Sequence, residues 1–473
     1  GTDFVKRWNE NWIPPSERTP YQPKEITDEF YLSIKHLNNK KTFVAFGIPA
    51  FSGTPENKNI EFEMEIKEND IDDFQIEFLH NNKVIETYTS GSQVLDEVVV
   101  KGKGPGNNSS SNTSNNQNTQ SNYSVGKYNL KWDGFDSNGI YDSTIFTSGK
   151  LKARIKGKRN GKEKTAESDE FSFDYKEVNW VDTKINKNTK RIDVTLRVNL
   201  KDGGEVGTEK DCQKVGSGSY APERTICPWD KIPEKEIKKH GEPLKKRLRD
   251  FQSLEKLAIE GVNSHWSRNN IDINEDKYEV FVNTINTTKN TMDDLDIVYN
   301  TNSFWGRSNN PGNVSTITSF FANLAEYIPY VPLNETIYYN VGYVNNLYKF
   351  ESQLFFKEDY WIYLNPLNFY KKKSNIDRDF SYTAAHELGH TILKAFAEKG
   401  GGDTDHSYKH KGSSDYSNTT PVSEGGENYP HSSGEIDLMK YYNNSPIWYD
   451  FDRIVASQED VLGLLWLTKL ELK

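Results

Sequence analysis

The chain is almost without sulfur: two cysteines, Cys212 and Cys227, and three methionines occur in 473 residues. A disulfide-dense secreted scaffold is thereby excluded. The fourteen residues between the two cysteines are rich in Gly, Ser, Pro and charge, which reads as a loop that one disulfide staples in an oxidising compartment. Two free thiols in a reduced protein are the alternative. Long apolar runs are missing too, so no transmembrane helix is expected. The polar start Gly1-Thr2-Asp3-Phe4 carries no signal-peptide core. There is no initiator Met, as expected of a processed or excised fragment. A concentrated basic face is also lacking: the formal net charge is -10 and Lys alternates with Glu along the chain, so no nucleic-acid partner is expected.

Aromatic rings are abundant, with 26 Tyr and 24 Phe, so apolar burial leans on them, as is common in β-rich secreted proteins. The length suggests two or three units. Residues 1–27 read as an extension or linker. From 28 to 178 the pattern is strand-like: Ile60-Glu-Phe-Glu-Met-Glu-Ile66, Leu151-Lys-Ala-Arg-Ile155 and Phe171-Ser-Phe-Asp-Tyr175 all alternate strictly. A β-sandwich is expected there, interrupted at 101–124 by a Gly, Asn, Ser, Thr and Gln tract too polar to bury a core. Within this region, Trp132-Asp-Gly-Phe-Asp-Ser-Asn-Gly139 offers oxygens to a calcium ion, but the same residues build tight turns, which is the preferred reading. With the strand that follows, this segment resembles the Ig-like domains of flagellar-hook capping proteins.

After Ile192-Asp-Val-Thr-Leu-Arg-Val198 the pattern changes. Phe251, Leu254, Leu257, Ala258 and Val262 follow helical spacing, and Asp359-Tyr-Trp-Ile-Tyr-Leu364 reads as a strand. An α+β domain over 179–473 is expected. In its last third, Phe380, Ala384, Leu388, Ile392 and Phe396 recur every four residues and mark the core face of a helix, with His386 and His390 projecting from the opposite side. One turn separates the histidines, so both imidazoles reach one cation, and Glu387 beside them faces the same cleft. Such a site uses two neutral imidazoles to hold one Zn²⁺ and a carboxylate to take a proton from attacking water. With nine His in the chain, a His-Glu-x-x-His string arises by chance in about one such protein per hundred. A structural zinc or a surface histidine pair is the bland alternative.

A third ligand is needed. Metzincin spacing is excluded, because Leu393 and Phe396 stand where that pattern requires Gly and His. Glu435 is favoured, since Ser432-Ser-Gly-Glu-Ile-Asp-Leu-Met-Lys-Tyr-Tyr442 reads as the start of a second helix. Ser432 with Glu435 also has capping-box spacing, in which the Glu serves only the backbone. His410 and then His406 are the alternative ligands, and either of them, Tyr441 or Tyr442 is a candidate oxyanion donor. Asp437 is a candidate to orient a ligating imidazole.

The metal helix, His410-Lys-Gly-Ser-Ser414, Gly434-Glu-Ile-Asp-Leu-Met-Lys-Tyr-Tyr442 and Ser457-Gln-Glu-Asp-Val-Leu-Gly-Leu-Leu-Trp-Leu-Thr-Lys-Leu470 together resemble the metallopeptidase effector domain of type VI secretion spike (VgrG-type) proteins, over roughly residues 125–473. The resemblance implies a zincin-like fold behind an Ig-like β-rich region, and a downstream Glu as third ligand, carried here onto Glu435. It further implies a secreted antibacterial toxin delivered to the periplasm of a rival cell, cutting a protein or peptide, with spike proteins and a cognate immunity protein as partners. A zinc amidase acting on cell-wall peptides uses the same chemistry. A non-enzymatic adaptor with structural zinc is the third reading.

Overall fold

The computed structural model describes residues 28–37, 40–90, 123–209, 213–215, 224–226, 229, 231–306, 308, 336–345, 361–365, 376–401, 435–439 and 451–473. Strand and helix are mixed, with strands dominating. In the first region the expected alternation is realised. Strand Ile60–Lys67 buries Ile60, Phe62, Met64 and Ile66 and turns its three glutamates outward. Tyr31–His36 and Gly126–Trp132 flank it antiparallel, and Lys35 and Lys127 from those strands converge on Glu63. A second antiparallel sheet runs in the order Lys83–Thr89, Asp73–His80, Leu151–Arg159, Lys162–Glu167. Rings join the two layers: Phe78 stacks on Trp132 at 4.4 Å between centroids and lies 5.2 Å from Phe62.

The Trp132–Gly139 segment is a turn, as preferred from its residues. Asp136 Oδ1 accepts from the amides of Asn138 and Ile140, and Asp133 Oδ1 from that of Phe135. The other Asp133 oxygen meets Lys187 Nζ at 2.5 Å. These carboxylates are committed to the turn and to a cation the chain itself supplies.

The second region is built on a mixed seven-stranded sheet. Its longest member, Arg191–Val206, continues well past the change of pattern expected near 200. The first half pairs antiparallel with Val181–Asn186 and parallel with Asp276–Asn286. The second half pairs parallel with Asp294–Asn300, which in turn pairs with Thr336–Asn340. Parallel neighbours require a crossover, and the connection from 206 to 276 contains the helix Phe251–Trp266. Asp250 caps its first turn by accepting from Ser253 N, and Leu254, Ala258 and Val262 form its buried face. Asn263 Oδ1 ties the helix to the sheet through Thr284 N at 2.7 Å.

Helix Ile376–Lys399 packs against that crossover helix. The approach is close because Gly261 has no side chain: a Cβ there would collide with the Ser381 backbone. Ser381 Oγ donates to Leu257 O at 2.9 Å across the same contact. At the other side Phe380 meets Tyr339 edge-on.

The expected boundary between 178 and 179 is crossed by two sheets. Ile140–Asp142 forms the edge of the large sheet against Val181–Asn186. The chain's last strand, Leu470–Leu472, pairs antiparallel with both Phe173–Tyr175 and Thr42–Phe43. Between these sheets Glu56 Oε1 accepts from Trp466 Nε1 at 3.0 Å and Lys469 Nζ at 2.7 Å. Ser52 N donates to Gly400 O at the end of helix Ile376–Lys399, where Phe51 also packs on Phe396. One hydrophobic core runs through both regions. Among the described residues no helix is long and apolar enough to cross a membrane.

Candidate metal centre

The expected helix over 380–397 forms over 376–399. Phe380, Ala384, Leu388 and Ile392 are buried as their spacing predicts. The opposite side is not an open cleft wall, however. His386 and His390 are each 3% exposed and Glu387 6%, so the helix is enclosed on both sides through this stretch. Two elements pack against this stretch of the helix.

One is Trp266, at the end of the crossover helix, whose Nε1 donates to Ala385 O at 3.1 Å. The other is a short turn at Leu438–Met439. Leu438 O lies 2.7 Å from His386 Nδ1. A carbonyl only accepts, so Nδ1 carries the proton and Nε2 of the neutral ring presents a lone pair. Gly389 makes this arrangement possible: a Cβ at that position would stand 2.5 Å from Met439 Sδ and 3.0 Å from Trp266 Cζ2. Gly389→Ala is expected to displace the Met439 side chain, and where the turn moves with it the candidate centre loses its hold on His386, weakening metal binding by up to about 10–100-fold, the usual cost of losing a contact that orients a ligand. Competition against a chelator measures it. Unchanged affinity would show that the turn does not orient the imidazole.

The two imidazoles face each other, with Nε2 atoms 3.1 Å apart and ring planes at 90°. Two converging nitrogens, with one ring's outer proton held by a carbonyl, are a donor set that fits Zn²⁺.

Around the pair the walls are aromatic. Tyr382 lies 5.9 Å from His386, 6.0 Å from Phe451 and 6.2 Å from His265, centroid to centroid. His265 is itself buried, with Nδ1 donating to Ile454 O at 2.6 Å, and burial depresses its pKa. In the first turn of helix Ile376–Lys399, burial pushes the Asp379 carboxyl up to about 7.

The expected second helix from Ser432 is corrected where it is described. Ile436–Asp437 is a two-residue strand parallel to Ile454–Val455, and Leu438–Met439 is the turn that follows. Glu435 stands just before this strand, 63% exposed at its side chain, with Oε2 2.6 Å from Arg268 Nη2. Among the described residues no third His, Cys, Asp or Glu gathers with His386 and His390. Asp437 Oδ1 accepts from Met439 N at 2.9 Å, within the turn whose Leu438 carbonyl meets His386.

His406, His410, Tyr441 and Tyr442 lie outside the described residues, as do Cys212, Cys227 and the 101–124 tract. Next to the cysteines, Gln213–Val215 pairs antiparallel with Arg224–Ile226, Gln213 opposite Ile226.

Leu438, Met439, Trp266 and Arg268 are site residues that sequence reasoning missed. Only Gly389, a glycine inside a helix, signalled that something presses on this face. No protein-family model matches the chain, and no curated protein sequence matches it.

Proposed function

We propose that the chain is a zinc-dependent metallopeptidase, with a zincin-like domain behind an Ig-like β-rich region, and that His386 and His390 hold one zinc per chain. The observation that carries this reading is the 3.1 Å approach of the two Nε2 atoms, with His386 Nδ1 anchored on Leu438 O. Bound there, zinc would supply Lewis-acid activation of water and of a substrate carbonyl. Glu387 takes the proton of the attacking water and passes it to the leaving amine. Leu438 O keeps His386 in the tautomer that leaves Nε2 free to ligate. The aromatic wall of Tyr382 and Phe451 keeps bulk water from competing.

The third ligand belongs to the same proposal, with Glu435, His410 and His406 as its candidates. Glu435 would have to exchange Arg268 for the metal; zinc content of the three alanine variants decides. The toxin setting, delivery by a type VI secretion spike to the periplasm of target bacteria and neutralisation by an immunity protein, rests on the resemblance of the closing segments. Hydrolysis of an unstructured protein, abolished by a chelator and restored by zinc, supports a peptidase. Muropeptide release from purified peptidoglycan without protein cleavage would make it an amidase, and neither activity in a zinc-loaded chain would leave the adaptor with structural zinc.

A further inference from the structure

Three side chains near the end of helix Phe251–Trp266 reach three pieces of the candidate centre. His265 holds Ile454 O and Trp266 holds Ala385 O. Arg268 spans two acceptors at once, with Nη1 on Ala456 O at 2.5 Å and Nη2 on Glu435 Oε2 at 2.6 Å. Its side chain is 13% exposed. Those two acceptors flank the parallel ribbon Ile436–Asp437 and Ile454–Val455. The residue that leaves this ribbon is Leu438, whose N donates to Val455 O and whose O holds His386.

We propose that Arg268 is a positioning residue for the metal centre: by joining Glu435 to Ala456 it clamps the ribbon that presents the Leu438 carbonyl to His386, and Glu435 serves as the clamp's counter-charge instead of as a ligand. The inference rests on the zinc reading of the histidine pair. A guanidinium suits this task because its donors form a rigid planar fork, so fixing one acceptor fixes the direction to the other. Moving Glu435 onto a metal would leave a mostly buried guanidinium without its carboxylate, an arrangement that costs far more than a surface pair returns. The clamp also explains why an exposed glutamate is held at all.

The test uses the full chain loaded with zinc, with dissociation constants from chelator competition and the visible spectrum of the cobalt-substituted protein. Wild type is measured first; a wild type that binds no zinc overturns the zinc reading and the clamp together, and is distinguished in that way from failure of the clamp alone. Arg268→Met is expected to raise the zinc dissociation constant about 10–100-fold with the cobalt spectrum retaining its position and intensity. Glu435→Ala, a change at an exposed carboxylate that leaves the core intact, is expected to act in the same direction. Glu435→Gln, still an acceptor for Arg268, restores most of the loss. The double variant is no weaker than Arg268→Met alone, because both remove one contact. Wild-type affinity in Arg268→Met overturns the clamp. So does a Glu435→Ala protein that loses stoichiometric zinc or shifts the cobalt bands, which would make Glu435 a ligand.

Discussion

Replacing Glu387 by Ala or Gln is expected to lower kcat for peptide hydrolysis by about 10²–10⁴-fold, the range for removing a general base, while zinc stays at one per chain. The reasoning is positional. On a helix, residue 387 is one step from His386 and three from His390, so its side chain borders both imidazoles without lying on the line that joins them. Glu387 is buried with them, so the proposed base lies in the same enclosed stretch of the helix. Glutamine keeps the shape and loses the base, so it separates proton transfer from packing. Metal content and kcat are measured on the same preparations. Wild-type turnover in Glu387→Gln would remove the general base from the account; loss of zinc would make Glu387 a ligand.

The second large effect concerns the β-rich region. Deleting residues 1–178 is expected to abolish cooperative folding of the remainder and, with it, zinc binding. The last strand would lose both of its partners, Phe173–Tyr175 and Thr42–Phe43. The large sheet would lose its edge strand Ile140–Asp142. Trp466 and Leu470, fully buried in the intact chain, face this seam. Exposing a few such side chains at about 1.5–3 kcal/mol each consumes most of the 5–15 kcal/mol that separates a typical domain from its unfolded state. The region is thus part of the scaffold that carries helix Ile376–Lys399. Thermal melting and metal analysis of the 179–473 fragment against the full chain provide the test. A fragment that melts cooperatively and holds zinc would contradict the interlock.

The approach of the two histidines was legible because it depends on local spacing: one helical turn, and an apolar stripe at four-residue intervals that fixes the helix. Strict alternation made the strands of the first region legible for a similar reason, since a period of two survives any tertiary context that buries one face. What stayed hidden depends on distant contacts. Glu435, Leu438, Met439 and Lys440 are good helix formers, and sequence alone favours a helix there. In the fold, Ile436 and Asp437 instead pair with Ile454 and Val455, eighteen residues on, and this pairing overrides local propensity. Strand pairings across position 178 were hidden for the same reason: residues 42 and 141 find their partners, 471 and 185, far along the chain. Arg268 carries no local signature, because its two acceptors come from segments far apart in the chain.

The central claim is that His386 and His390 bind zinc through converging Nε2 atoms, and metal analysis of the purified chain beside His390→Ala tests it most directly. One zinc per chain is expected in the wild type, lost in His390→Ala while thermal melting stays cooperative. A wild type that takes up no zinc, or a folded His390→Ala protein that retains it stoichiometrically, would contradict the claim.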